Sequence, residues 1–207
     1  MCSACGNYLR CLLQLKIRML SAVLFELIAF SFAIVGVFLT ARGHVAGWLL
    51  GIIGSALYIP VFFEGKLYAE SALQLFYVLM GIYGWWHWLR AANGTNTLQV
   101  LSIGRITLLI LSILFVIGSE FLGFCLDRFS NTDVPYFDAT MGVSGLLITW
   151  MMARKYIENW ICWVIVDLSN AGLFIYKSLY LTAFLYIIMA VIALYGLKTW
   201  RKELAKP

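Results

Sequence analysis

Charge is scarce in this chain. Only 12% of its 207 residues are Asp, Glu, Lys or Arg, about half the roughly 25% that a soluble domain carries. Histidine is scarcer still: His44 and His87 are the only two, and both lie near the ends of apolar runs. No HExxH, GxSxG elbow or phosphate-binding loop occurs, and no carboxylate is paired with a histidine within one helix. Hydrolytic, metal-dependent and phosphoryl-transfer chemistry therefore have no motif to rest on. A second CxxC is missing as well. Cys2 and Cys5 form one such pair with Cys11 nearby, but a zinc site wants four ligands. Cys125 and Cys162 lie in or beside apolar runs, where a thiol packs as a small hydrophobe. The expectation is no catalytic residue, no metal and no cofactor.

What the chain has is hydrophobic length. Apolar residues make up 63% of it and aromatics 16%. Seven apolar runs stand out, at 20–40, 45–63, 67–89, 104–126, 136–153, 157–176 and 179–199. Each approaches the ~20 residues that span a bilayer at about 1.5 Å per residue. In lipid the backbone must satisfy its own polar groups, so runs of this length are helices. The first run is followed by no small-residue cleavage pattern and reads as a retained helix rather than a secretory signal. The predicted class is an all-α integral membrane protein with seven transmembrane helices and the lipid bilayer as its solvent.

The chain also repeats itself. A shift of 112 residues, without a gap, lays 25–88 on 137–200 and matches 12 of 64 positions, among them Trp48/Trp160, Phe62/Phe174, Tyr83/Tyr195, Gly84/Gly196 and Trp88/Trp200. The constant register over three hydrophobic runs predicts a duplicated unit: repeat one 20–89, a linker helix 104–126 and repeat two 136–200, within a single transporter domain over 1–207. Equivalent helices lie four spans apart, an even number, so the two units are parallel. A duplicated membrane unit is a common transporter plan, with substrate held between the halves near mid-membrane.

Lys and Arg set the expected orientation. Arg42, Arg90, Arg105, Arg154, Lys155, Lys198, Arg201, Lys202 and Lys206 share the side of the C-terminus; Arg10, Lys16, Arg18, Lys66, Arg128 and Lys177 fall on the other. The balance predicts a cytoplasmic C-terminus. Arg10, Lys16 and Arg18 pull the other way and suit a short interfacial helix. The net charge of +5 is spread over loops, so it reports topology and needs no nucleic-acid partner.

The most suggestive helix is the sixth. Trp160, Trp163, Asp167, Asn170 and Phe174 fall at i, i+3, i+7, i+10 and i+14, on one helical face. An aspartate mid-membrane costs about 2.5–3.5 kcal/mol on insertion scales. Such a residue faces a bundle interior or a wet cavity, where it either meets substrate or hydrogen-bonds a neighbouring helix. The third run carries a second stripe, Glu70, Gln74, Tyr77 and Gly81. The Gln74 amide can both donate and accept; its repeat mate is Tyr186. Where the sixth run has Trp163, Asp167 and Asn170, the second has Gly51, Ser55 and Tyr58. One asymmetric ligand between two similar halves would produce that divergence. The expected substrate-binding set is Gln74, Tyr77, Trp160, Trp163, Asp167, Asn170 and Tyr186, gathered around one cavity near mid-membrane. Trp85, Trp86, Trp88 and Trp200, at the inner ends of the third and seventh runs, read as an interfacial belt. No Lys or Arg lies in the interior of a run, Arg105 and Lys198 standing within two residues of run ends, and no chain of paired carboxylates occurs, which argues against an ion circuit.

Two segments, ESALQLFYVLMGIYGWWHW (70–88) and RKYIENWICWVIVDLSNAGLFIYKSLYLTAFLYIIMAVIALYGLKTW (154–200), resemble the PnuC family of bacterial vitamin transporters, and the likeness runs from about residue 24 to 203. The resemblance implies a SWEET-like 3+1+3 helix plan in the bacterial inner membrane. It implies facilitated diffusion of an unphosphorylated vitamin, which a cytosolic kinase then traps. It also implies a homo-oligomer, by resemblance a trimer. The WxxW at Trp160 and Trp163 is typical of the nicotinamide-riboside members. In those members an Asn often stands where this chain has Asp167, and related members carry thiamine. Both vitamins hold a cationic aromatic ring that a carboxylate suits, so the expected substrate is nicotinamide riboside with thiamine as the alternative. A membrane structural or assembly protein without flux is the reading from a different class.

Overall fold

The computed structural model describes residues 28, 29, 31–64, 68–93, 99–130 and 132–205. The N-terminal cysteines and bases, Cys2, Cys5, Cys11, Arg10, Lys16 and Arg18, lie outside the described residues, as do Lys66 and Lys206. The described residues form seven helices: α1 (Ser31–Ala41), α2 (Ala46–Glu64), α3 (Tyr68–Asn93), α4 (Arg105–Phe129), α5 (Pro135–Ala153), α6 (Glu158–Tyr176) and α7 (Tyr180–Leu204). From α2 onward they coincide with the predicted runs to within a few residues. Ala46–Phe63, Arg105–Phe129, Glu158–Tyr176 and Thr182–Leu204 are long and apolar enough to cross a membrane by length and composition. The surface agrees. Ile106, Leu109, Ile117 and Phe121 of α4 stand more than 60% exposed, a surface that lipid rather than water accommodates.

The helices pair as α2 with α3, α4 with α5 and α6 with α7, and α5 also touches α3 and α6. Helix α1 lies so close to α2 that a Cβ on Gly36 would stand 3.1 Å from the Gly47 carbonyl oxygen and 3.1 Å from the Gly51 nitrogen. Small residues permit such backbone approach where lipid supplies no hydrophobic drive between helices.

The α1–α2 and α5–α6 connections are the same turn, bond for bond. Gly43 N–H donates to Thr40 O and His44 N–H to Leu39 O; 112 residues later Lys155 N–H donates to Met152 O and Tyr156 N–H to Met151 O. These are the two bonds of a Schellman stop. Its left-handed residue is Gly43 at φ 79° in one turn and Lys155 at φ 60° in the other. The second turn is pinned further. Leu101 exchanges backbone bonds with Lys155 and Ile157, and the Glu158 carboxylate accepts from the Ser102 hydroxyl and Ile103 N–H.

Candidate functional site

Two clusters join α3 to α6 and α7. The first is apolar and sits at the end that carries the C-terminus. Trp48 packs edge-on to Trp88 with ring centroids 5.6 Å apart, Trp88 meets Trp200 at 5.9 Å, and Trp200 takes Trp160 edge-on at 5.2 Å. Each outer indole lies in a notch made by a glycine. A Cβ on Gly84 would come within 2.6 Å of the Trp48 ring, and one on Gly196 within 2.7 Å of Trp160. The Trp88 indole N–H donates to the Ala153 carbonyl at 3.0 Å. The Lys155 ammonium stands 5.4 Å above Trp88 and pairs with Glu203 at 3.4 Å. Nearby, hydrogen bonding with Tyr83 holds the Arg154 guanidinium above its ordinary pKa range, against partial burial that works the other way.

This quartet corrects the belt reading for two of its tryptophans. Trp88 and Trp200 are 3% and 0% exposed, so they are core. Trp86, nearly half exposed with the Arg90 guanidinium 4.2 Å over its ring, does have the position of a belt residue. Trp160 is likewise fully buried in the quartet.

The second cluster is polar and lies one to two turns further along α6. Asp167 is buried, with nine residues of Glu158–Tyr176 on either side. Its carboxyl lies within electrostatic reach of the Tyr186 hydroxyl on α7, which in turn acts on the Tyr77 hydroxyl on α3. Tyr77 reaches across to Gly145 on α5, as does the Trp163 ring from α6. The Trp163 indole nitrogen is buried with no hydrogen-bond partner among the described residues, as are those of Trp48, Trp160 and Trp200. Phe174 stacks on Tyr186 at 5.3 Å and 11°. Of the residues expected from the sequence, Tyr77, Trp163, Asp167 and Tyr186 thus come together. Gln74 and Asn170 are half-buried on the same helices, and the Glu70 side chain lies outside the described residues. Sequence reasoning missed Gly145, whose repeat mate is Ala33. A small residue within an apolar run carries no polar signal. Among the described residues no three of His, Cys, Asp and Glu gather as a metal would need.

A carboxyl, two phenols and an indole ring, enclosed where four membrane helices meet, can bind a small polar aromatic molecule. They offer no nucleophile–base pair for altering it. A helical bundle built this way belongs to the class of multi-pass membrane transporters. Residues 23–202 match the family described as nicotinamide mononucleotide transporter, and the chain belongs to that family, the PnuC family of membrane vitamin transporters. The nicotinamide riboside transporter PnuC of Escherichia coli is 28% identical over 187 residues, covering 78% of each chain. The riboflavin/roseoflavin transporter RibM of Streptomyces davaonensis is 23% identical over 143 residues, covering 67% of this chain and 66% of its own. A crystal structure of the vitamin B3 transporter PnuC shares the fold with a TM-score of 0.69 at 23% identity, over 93% of this chain and 89% of that one.

Proposed function

We propose that the chain carries nicotinamide riboside into the cytoplasm by facilitated diffusion, intracellular phosphorylation preventing its return. The observation that carries this is Asp167, buried at the middle of α6 beside Tyr186 and one helical turn from Trp163. A carboxylate and an indole in an apolar site suit a flat cationic ring such as pyridinium. The relative named for riboflavin indicates that cargo varies among relatives. A neutral flavin would leave a buried carboxylate without a charge partner, whereas thiamine, with its thiazolium ring, satisfies the same group and is the second reading.

The architecture proposed with it is two parallel three-helix repeats, 20–89 and 136–200, joined by the linker helix 104–126, in the inner membrane with the C-terminus cytoplasmic. The shared Schellman turns and the two Trp-on-glycine notches, each offset by 112 residues, support the duplication. The contacts between halves follow the same relation: α3 packs on α5, and α1 meets α7 through Phe38 stacked on Tyr195 at 5.6 Å. The test is uptake into proteoliposomes without any ion gradient. Labelled nicotinamide riboside should equilibrate with the lumen and be competed by the unlabelled compound. Uptake only under an imposed proton or sodium gradient would refute the transport mode. Uptake of thiamine or riboflavin in its place would refute the substrate.

A further inference from the structure

Gly145 sits in the interior of α5, buried and in regular helical conformation, where glycine weakens a helix relative to alanine. Its backbone needs no special φ, and its carbonyl accepts the Thr149 hydroxyl at 2.7 Å as an ordinary helical back-bond. What the position does require is room. A Cβ there would collide with the hydroxyl oxygen of Tyr77, while the Tyr77 Cζ would stand at 3.5 Å and Trp163 Cη2 at 3.9 Å. The conflict is thus with one atom. The Tyr77 ring tolerates a side chain at 145; the phenol oxygen does not. Neighbouring Gly142 shows no such conflict, its Cβ meeting only Leu122 at 4.0 Å.

We propose that Gly145 is a positioning residue that sets where the Tyr77 hydroxyl stands in the substrate site, and through it the preference for a cargo that offers a polar group there. With glycine at 145 the hydroxyl reaches the α5 backbone beside the benzo edge of the Trp163 ring, lining the site with an O–H next to an aromatic wall. Alanine pushes the phenol off α5, narrowing the site and moving the hydroxyl away from that wall. A hydroxyl- and amide-bearing cargo loses its partner and its space together. The reference to cargo rests on the transport reading above; the steric link between Gly145 and Tyr77 does not.

The test is a double-mutant cycle on the full-length purified protein: wild type, Gly145→Ala, Tyr77→Phe and the pair. Each is measured by nicotinamide riboside titration and by thermal unfolding. Gly145→Ala should weaken binding by about tenfold or more, and Tyr77→Phe by about fivefold, in the range for a lost ligand hydrogen bond. The pair should bind no worse than Tyr77→Phe alone, because the colliding atom is gone. In unfolding, Gly145→Ala should lower the midpoint with Tyr at 77 and leave it level or raise it with Phe. Losses that multiply in the pair would overturn the proposal, as would a Gly145→Ala protein that binds and melts like wild type. If Gly145→Ala alone fails to fold, a pair that folds and matches Tyr77→Phe supports the proposal, and a pair that also fails refutes it. If wild type binds thiamine and not the riboside, the substrate reading falls, and the same four proteins titrated with thiamine decide the positioning role.

Discussion

Replacing Gly196 with alanine tests the packing of the indole quartet directly. The new methyl would stand 2.7 Å from Cδ2 and Cε2 of Trp160 and 2.8 Å from Cε3, where carbon atoms prefer about 3.5–4.0 Å. The shortfall is roughly 0.8 Å or more, and the ring has little freedom to yield. Trp160 is fully buried with Trp200 edge-on to it at 5.2 Å. Overpacking of this kind costs about 1–3 kcal/mol, and alanine returns up to about 1 kcal/mol of helix propensity. With the full return the net loss is about 0–2 kcal/mol, which at this chain length lowers the unfolding midpoint by up to roughly 8 °C. The control is Gly172→Ala on α6, where a Cβ meets nothing within 4 Å; it should melt at or slightly above wild type. Gly84→Ala should behave like Gly196→Ala, since Trp48 lies 2.6 Å from its Cβ position. Thermal unfolding of the purified protein in detergent, followed by tryptophan fluorescence, reads all three. If Gly196→Ala melts no lower than Gly172→Ala, the notch is not tight and the reasoning fails.

The other predictions concern the site and the orientation. Asp167→Asn keeps shape and removes charge, so affinity for a cationic vitamin should fall by about five- to a hundred-fold; unchanged affinity in calorimetry would make the carboxyl structural. Gln74→Ala and Asn170→Ala should each weaken binding within the same range, about 1–3 kcal/mol, without a matching drop in the unfolding midpoint, and full affinity in both would remove them from the site. With the five native cysteines replaced by serine, a cysteine introduced at Ala205 should react with impermeant maleimide only after the cells are opened; labelling of intact cells would reverse the assigned topology.

The helices were legible because lipid leaves an apolar run of about twenty residues no alternative. The tight turns were legible only as gaps between runs, since neither Gly43 nor Lys155 announces a Schellman stop until the donor and acceptor positions are known. The polar face of α6 was legible from periodicity, because Trp163 and Asp167 lie four residues apart. Trp160 lies on the same stripe, and periodicity could not separate it from Trp163. The notch at Gly196 and the edge of Trp200, both on α7, take Trp160 into the core, while Trp163 borders Gly145 of α5. The belt reading of Trp88 and Trp200 failed for a related reason. Position near a helix end predicts an interfacial ring only if no other helix covers it, and here each ring covers the other.

By itself the sequence determined that this is a helical membrane protein with a 112-residue internal register and an aspartate at the centre of its sixth helix. Those properties depend on hydrophobic length and spacing along one chain segment. The tertiary structure decided which indoles are core and which lines the polar cluster, that Tyr77 of α3 and Tyr186 of α7 meet near Asp167, and that a glycine on α5 makes room for a phenol oxygen. Each is a contact between helices far apart in sequence, and a helical period fixes only the face a residue occupies, not the neighbour that face will meet.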